Sequence, residues 1–180
     1  MTAQTATEDG AEPGAAFWRF SLSVYGQEGV PDICLALQDA HGVDVNMLLY
    51  LLFRATGGAA LDADEIAALD AVLAPWRDAV VRPLRGVRRA LKGEALARIA
   101  ADEDRLRQRV KSAELEAERL QQMALARLGA EMAGTSQAPD AAMGTAWRAY
   151  GGHLSSDLPE AALAGLVRAI RAARPDGAEA

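Results

Sequence analysis

Five polar side chains crowd one short stretch of this 180-residue chain: Gln38, Asp39, His41, Asp44 and Asn46, within VPDICLALQDAHGVDVNMLLYLLFRATGG. Two carboxylates, an imidazole and two amides straddling a turn are the groups that acid–base chemistry or a metal ion would need. A catalytic zinc takes three ligands at defined spacing. One histidine and two carboxylates with no second cluster fall short of that set. The structural alternative is capping of two helix ends, with Asn46 hydrogen-bonded in the core, where an unpaired amide costs about 1–3 kcal/mol. The second group is cationic: Arg82, Arg85, Arg89 and Lys92. It suits a phosphate-bearing ligand or an acidic partner surface. No glycine-rich phosphate loop, nucleophile elbow or paired-cysteine zinc motif is present. No catalytic residue, metal site or cofactor is therefore assigned.

Helices must position these groups. Pro31 fits the first position of a helix, Gly42 ends it in the left-handed conformation, and Asp44 caps the next. From Val45 to Phe53 only Asn46 is strongly polar, and a helix apolar on every face belongs inside a bundle. Asp62 with Glu65 makes a capping box for a further helix. Trp76, Val80, Leu84, Val87 and Leu91 then recur at helical spacing across Pro83, which predicts one kinked helix. On that count Arg82, Arg85, Arg89 and Lys92 share the face opposite the core. Leu106, Val110, Ala113, Ala117, Leu120 and Ala124 repeat as a heptad seam. They lie on a helix expected over about 94–128, roughly 50 Å long. Such a helix must project, pair with another chain, or be covered by later segments.

Composition sets the outer bounds. The formal net charge is −6 and 51% of residues are hydrophobic, which fits a globular core and argues against nucleic-acid binding. The charge is uneven: residues 75–93 carry six basic side chains and one acidic, against two basic and eleven acidic in residues 1–74. Cys34 is the single cysteine, which suits a reducing, cytoplasmic compartment, and it reads as a buried, inert thiol. Trp18, Trp76 and Trp147 read as core anchors. The seven-residue apolar run Met47–Phe53 is far short of a membrane span.

Residues 17–130 resemble a known family. The features that carry the likeness are Trp18, Tyr25, Gly29-Val30, Leu37-Gln38-Asp39, Gly42, Asp44-Val45-Asn46 and Leu48-Leu49, followed by Trp76 and Arg82-Pro83-Leu84-Arg85. This pattern is similar to domain-of-unknown-function family 2390, a group of small proteobacterial proteins. The resemblance implies an all-helical protein and brings no catalytic residues with it.

The expectation is an all-α helical bundle of five or six helices with one long amphipathic helix. Residues 1–13 form a disordered arm, 14–133 the bundle, and 134–180 a linker and C-terminal helices packing on it. The leading function is a non-enzymatic protein-interaction module that binds a partner or a second copy through the long helix. The alternative is a small-molecule or phosphate-ligand site, possible for an enzyme too, between the Gln38–Asn46 turn and the basic helix 82–92. That site requires Asp39 or Asn46 to approach Arg85 or Arg89 across a concave pocket. The module requires them apart, with the seam along 106–124 open.

Overall fold

The computed structural model describes residues 14–92 and 103–173. The expected arm at 1–13, the start of the long helix at 93–102 and the frayed tail at 174–180 lie outside the described residues. The fold is all-α, as expected. Its helices are α1 (Ala15–Tyr25), α2 (Val30–His41), α3 (Val45–Thr56), α4 (Ala63–Trp76), α5 (Arg82–Ala90), α6 (Glu103–Gly129), α7 (Pro139–His153) and α8 (Glu160–Ala173). A π turn, Arg77–Val81, joins α4 to α5. Counting that joined rod once, seven helices are described where five or six were expected. None is long and apolar enough to cross a membrane among the described residues.

Helix α3 is the axis of the bundle. Asn46 to Leu52 are all buried, as are Ala55 and Thr56. The Asp44 carboxylate accepts from the backbone N–H groups of Asn46 and Met47 at 2.9 and 3.3 Å, which satisfies two free donors of the first turn. Gly42 ends α2 at φ +69°, where a side chain would be strained. Phe17 of α1 meets Tyr50 edge-on at 5.2 Å. Trp147 and Tyr150 of α7 close the opposite side, both fully buried. Helix α8 lies over α1 and α2 through Leu166 and Ile170.

Two strands of two residues, β1 (Ala59–Ala60) and β2 (Thr135–Ser136), pair antiparallel and fasten the stretch expected as a linker to the end of α3. Two-residue strands leave no alternation to read. The capping box forms as expected: Asp62 Oδ1 accepts from Glu65 N–H at 2.9 Å, and Asp62 N–H donates to Glu65 Oε2 at 3.0 Å.

Two expectations about helix faces are corrected. The rod is continuous through Pro75 and Pro83, but its π turn changes the phase. A π turn is wider than an α turn, so residues four apart stay aligned. The inward line runs Leu69, Leu73, Arg77, Val81, Arg85, Arg88, one position away from the expected stripe. Trp76 and Val87 are consequently exposed. Arg85 points inward with Arg88, not opposite the core with Arg82, Arg89 and Lys92. On α6 the heptad seam is the packing face only in part: its Ala117 is buried and its Ala124 packs against the core, but its two leucines do not face inward. Glu114, Ala117, Gln121, Gln122 and Leu125 are buried, while Leu106, Leu115 and Leu120 are exposed. The long helix presents a polar stripe to the bundle.

Candidate functional site

That polar stripe meets Asp44 and Asn46 in a buried chain of hydrogen bonds. Gln122 Nε2 donates to Asn46 Oδ1 at 2.8 Å. Asn46 Nδ2 donates to Gln121 Oε1 at 3.4 Å. Gln121 Nε2 donates to Asp44 Oδ2 at 2.6 Å. The direction of this relay is fixed by its end. A carboxylate only accepts, so Gln121 must turn its NH2 toward Asp44 and its oxygen toward Asn46. The same constraint passes to Asn46 and then to Gln122. Gln122 Oε1 is left at the far end, buried and without a partner among the described residues.

Beyond Asp44 the network becomes ionic. Arg77 Nη1 lies 3.3 Å from Asp44 Oδ2 and 2.5 Å from Asp70 Oδ1. Asp70 Oδ2 meets His153 Nε2 at 3.2 Å. Burial works to raise the Asp70 carboxyl, but the hydrogen bonds from Arg77 and His153 outweigh it and hold the group below its ordinary range. The backbone N–H of Asp44 donates to the Tyr150 hydroxyl at 2.9 Å. Burial also pushes the Tyr150 phenol far up.

A second ionic layer sits beside the relay. Arg85 donates from Nε to Glu114 Oε1 at 3.1 Å, from Nη2 to Glu118 Oε1 at 2.5 Å, and from Nη1 to Gln38 Oε1. Arg88 grips both oxygens of Glu114. The two carboxyls, one helical turn apart, are driven in opposite directions. Burial acts against ionisation of Glu114, yet the hydrogen bonds from Arg88 and Arg85 prevail and its pKa is lowered. Burial dominates at Glu118 and raises its pKa in spite of Arg85.

Against this layer opens a cleft of about 360 Å³, the size of a small ligand site. It runs between α1 and α6. Gly14 lies against Met123 and Ala126, while Tyr25 at the other end of α1 is within electrostatic reach of Glu118. The two helices are therefore antiparallel. Leu22, Leu35, Val45, Leu49 and Leu115 line its apolar wall, and Arg85, Arg88, Arg89, Lys111, Glu114 and Glu118 its polar wall. Ser21 and Gln122, each 3% exposed, also line it. Ser21 Oγ and Gln122 Oε1 are buried atoms without hydrogen-bond partners among the described residues. Arg77 Nε is the third such atom among the described residues; it faces a second cleft, at 3.5 Å from Asp78 Oδ1.

The residues singled out by sequence are brought together unevenly. Gln38 bonds Arg85, and Asp39 meets Arg89 at 3.4 Å. Asn46 is the centre of the relay. Gln38, Asn46, Arg85 and Arg89 line both clefts. Arg82 turns to Asp78 at 2.7 Å on the surface, and Lys92 is exposed at the end of the described rod. His41 Nδ1 is 2.7 Å from Ser156 Oγ. Among the described residues no group of three or more His, Cys, Asp and Glu side chains is placed to hold a metal ion. The sequence reading missed Glu114, Glu118, Gln121, Gln122 and Ser21. Glu114, Glu118 and Gln121 do recur at helical spacing, but on a helix rich in charge this looks like a solvated face.

The opposed carboxyls carry a pH test. Glu114 has an ordinary value of 4.5 and a lower one in the fold. Its contribution to stability is therefore whole above about pH 4.5 and lost as the pH falls through the depressed value. Glu118 is raised, so it contributes the reverse slope. Urea unfolding is expected to show a shallower acid loss below about pH 4.5 in Glu114→Gln than in wild type, and above about pH 4.5 to lack in Glu118→Gln the stability that wild type gains as Glu118 takes up its proton.

No curated protein and no solved structure matches the chain. One family model, described as "Protein of unknown function (DUF2390)", matches residues 16–125. This span contains α1 but for its first residue, α2 to α5, most of α6, the amide relay from Asp44 to Gln122, and every residue lining the α1–α6 cleft. With more than half of its length matched, including all of that cleft, the chain belongs to the DUF2390 family of proteins of unknown function.

Proposed function

We propose that this protein binds a small molecule in the cleft between α1 and α6. One observation carries the reading: two buried polar atoms without partners among the described residues, Ser21 Oγ and Gln122 Oε1, belong to side chains lining the same apolar-walled cleft. A buried polar group left unpaired costs about 1–3 kcal/mol, and a ligand that meets both removes that cost. The approach of Asp39 to Arg89 supports the site reading over the module reading, which needs those groups apart. Arg77, Arg82, Arg85 and Arg88 each already face a carboxylate, which leaves these four little charge to offer a phosphate-bearing ligand. We infer a cytoplasmic setting from the lone Cys34, which is buried and whose thiol burial pushes up to about 12.

A fragment screen by ligand-observed NMR tests this. Leu22 and Leu115 stand exposed at the mouth of the cleft, so Leu22→Trp/Leu115→Trp narrows it without touching the core. Hits on wild type that are lost in the folded double variant are expected. Hits that survive it, or a wild type with none, overturn the reading.

The interaction-module reading keeps one observation in its favour: Leu106 and Leu120 on α6 are 48% and 44% exposed. On that reading the wild type is a dimer by light scattering, and Leu106→Asp/Leu120→Asp is a folded monomer. A monomeric wild type removes self-association through α6.

A further inference from the structure

The cleft has a direction, and its two ends differ. On α6 it is lined at every turn from Lys111 through Glu114, Leu115 and Glu118 to Gln122. Eleven residues separate the ends, a rise of about 16 Å. At the Gln122 end the relay leaves a bare carbonyl oxygen, which asks for a hydrogen-bond donor. Ser21 Oγ, in the same wall, can donate or accept and so complements a hydroxyl. At the Lys111 end the demand is opposite. Lys111 has no ion pair among the described residues, and Arg89 has only the long contact to Asp39 between half-exposed side chains. Glu114 and Glu118 are held by Arg85 and Arg88, so the uncommitted charge at this end is positive. Between the ends, Leu22, Leu35 and Leu115 are large apolar side chains exposed along the groove. Covering them removes apolar surface from water, which stabilises a complex.

Resting on the small-molecule reading above, we propose that the cleft takes a linear apolar monocarboxylate carrying a hydroxyl at the end opposite its carboxylate, with about a dozen carbons between them. The hydroxyl donates to Gln122 Oε1 and pairs with Ser21 Oγ. The chain lies along the leucines. The carboxylate meets Lys111, with Arg89 alongside. An extended chain of about that length spans the 16 Å between the ends.

Calorimetric titration of the full chain tests the proposal, with 12-hydroxydodecanoate as the probe. Its comparators are dodecanoate, which lacks the hydroxyl, and methyl 12-hydroxydodecanoate, which lacks the charge, each below its aggregation concentration. Dodecanoate is the more apolar molecule, so unspecific adsorption ranks it first. The proposal ranks it about tenfold weaker than the hydroxy acid, and the methyl ester weaker by a similar factor. Lys111→Ala, a change at an exposed position, is expected to weaken the acid and leave the ester unchanged. Equal affinities, or dodecanoate binding best, overturn the ligand class. If fragments bind in a manner blocked by Leu22→Trp/Leu115→Trp while the hydroxy acid does not bind, the ligand class falls and the small-molecule reading stands. If neither fragments nor acids bind, both fall.

Discussion

The Asp44 carboxylate is the constraint on which the rest depends. Its Oδ1 caps α3, and its Oδ2 takes both Gln121 of α6 and Arg77 of the π turn. Its backbone N–H is bonded to Tyr150 of α7. One residue at a tight turn thus fixes four elements against one another. A group with so many partners at low local dielectric cannot change alone, since each loss strands another buried polar atom. The relay from Asp44 to Gln122 extends that control across the bundle and decides which atom of Gln122 is left without a partner among the described residues.

This arrangement explains why the long helix is turned the way it is. Packing its leucines inward would bury more apolar area. Instead Glu114, Gln121 and Gln122 are buried and Leu106, Leu115 and Leu120 are not. Buried ion pairs add little net stability over apolar replacements, whereas removing one partner strands a charge. Such a layer acts mainly on register: Arg85 and Arg88 find Glu114 and Glu118 at only one axial position of α6. Of the leucines it turns outward, Leu115 lines the cleft, so the polar core and that part of the apolar groove have a common origin.

Much of the framework was legible in the sequence, because local chemistry decides it. The Gly42 and Asp44 signals, the all-round burial of α3 and the Asp62–Glu65 box depend on neighbours within four residues. The face of α5 was not legible. Its phase is set by a π turn between two prolines, and no residue pattern there announces a change from α geometry. An error of one residue was enough to move Arg85 from the solvent to the centre of the site. The polar stripe of α6 was hidden for another reason. Its partners Arg85, Arg88 and Asn46 are remote in sequence, and a glutamine that bonds a distant asparagine looks like any surface glutamine. Gln38 and Asp39 of the turn do meet Arg85 and Arg89 of the rod, while Arg82 and Lys92 stay apart from them, and the acidic counterparts became visible only in three dimensions.

The central claim is that the relay transmits from Asp44 to Gln122, two side chains that share no direct hydrogen bond. A double-mutant cycle of Asp44→Ala and Gln122→Ala, measured by urea unfolding, tests it most directly. Independent sites add within about 0.3–0.5 kcal/mol. Transmission through Gln121 and Asn46 predicts a coupling of about 1 kcal/mol or more, because the first loss already frees the amides that the second would disturb. Additive effects of the two changes would contradict the account.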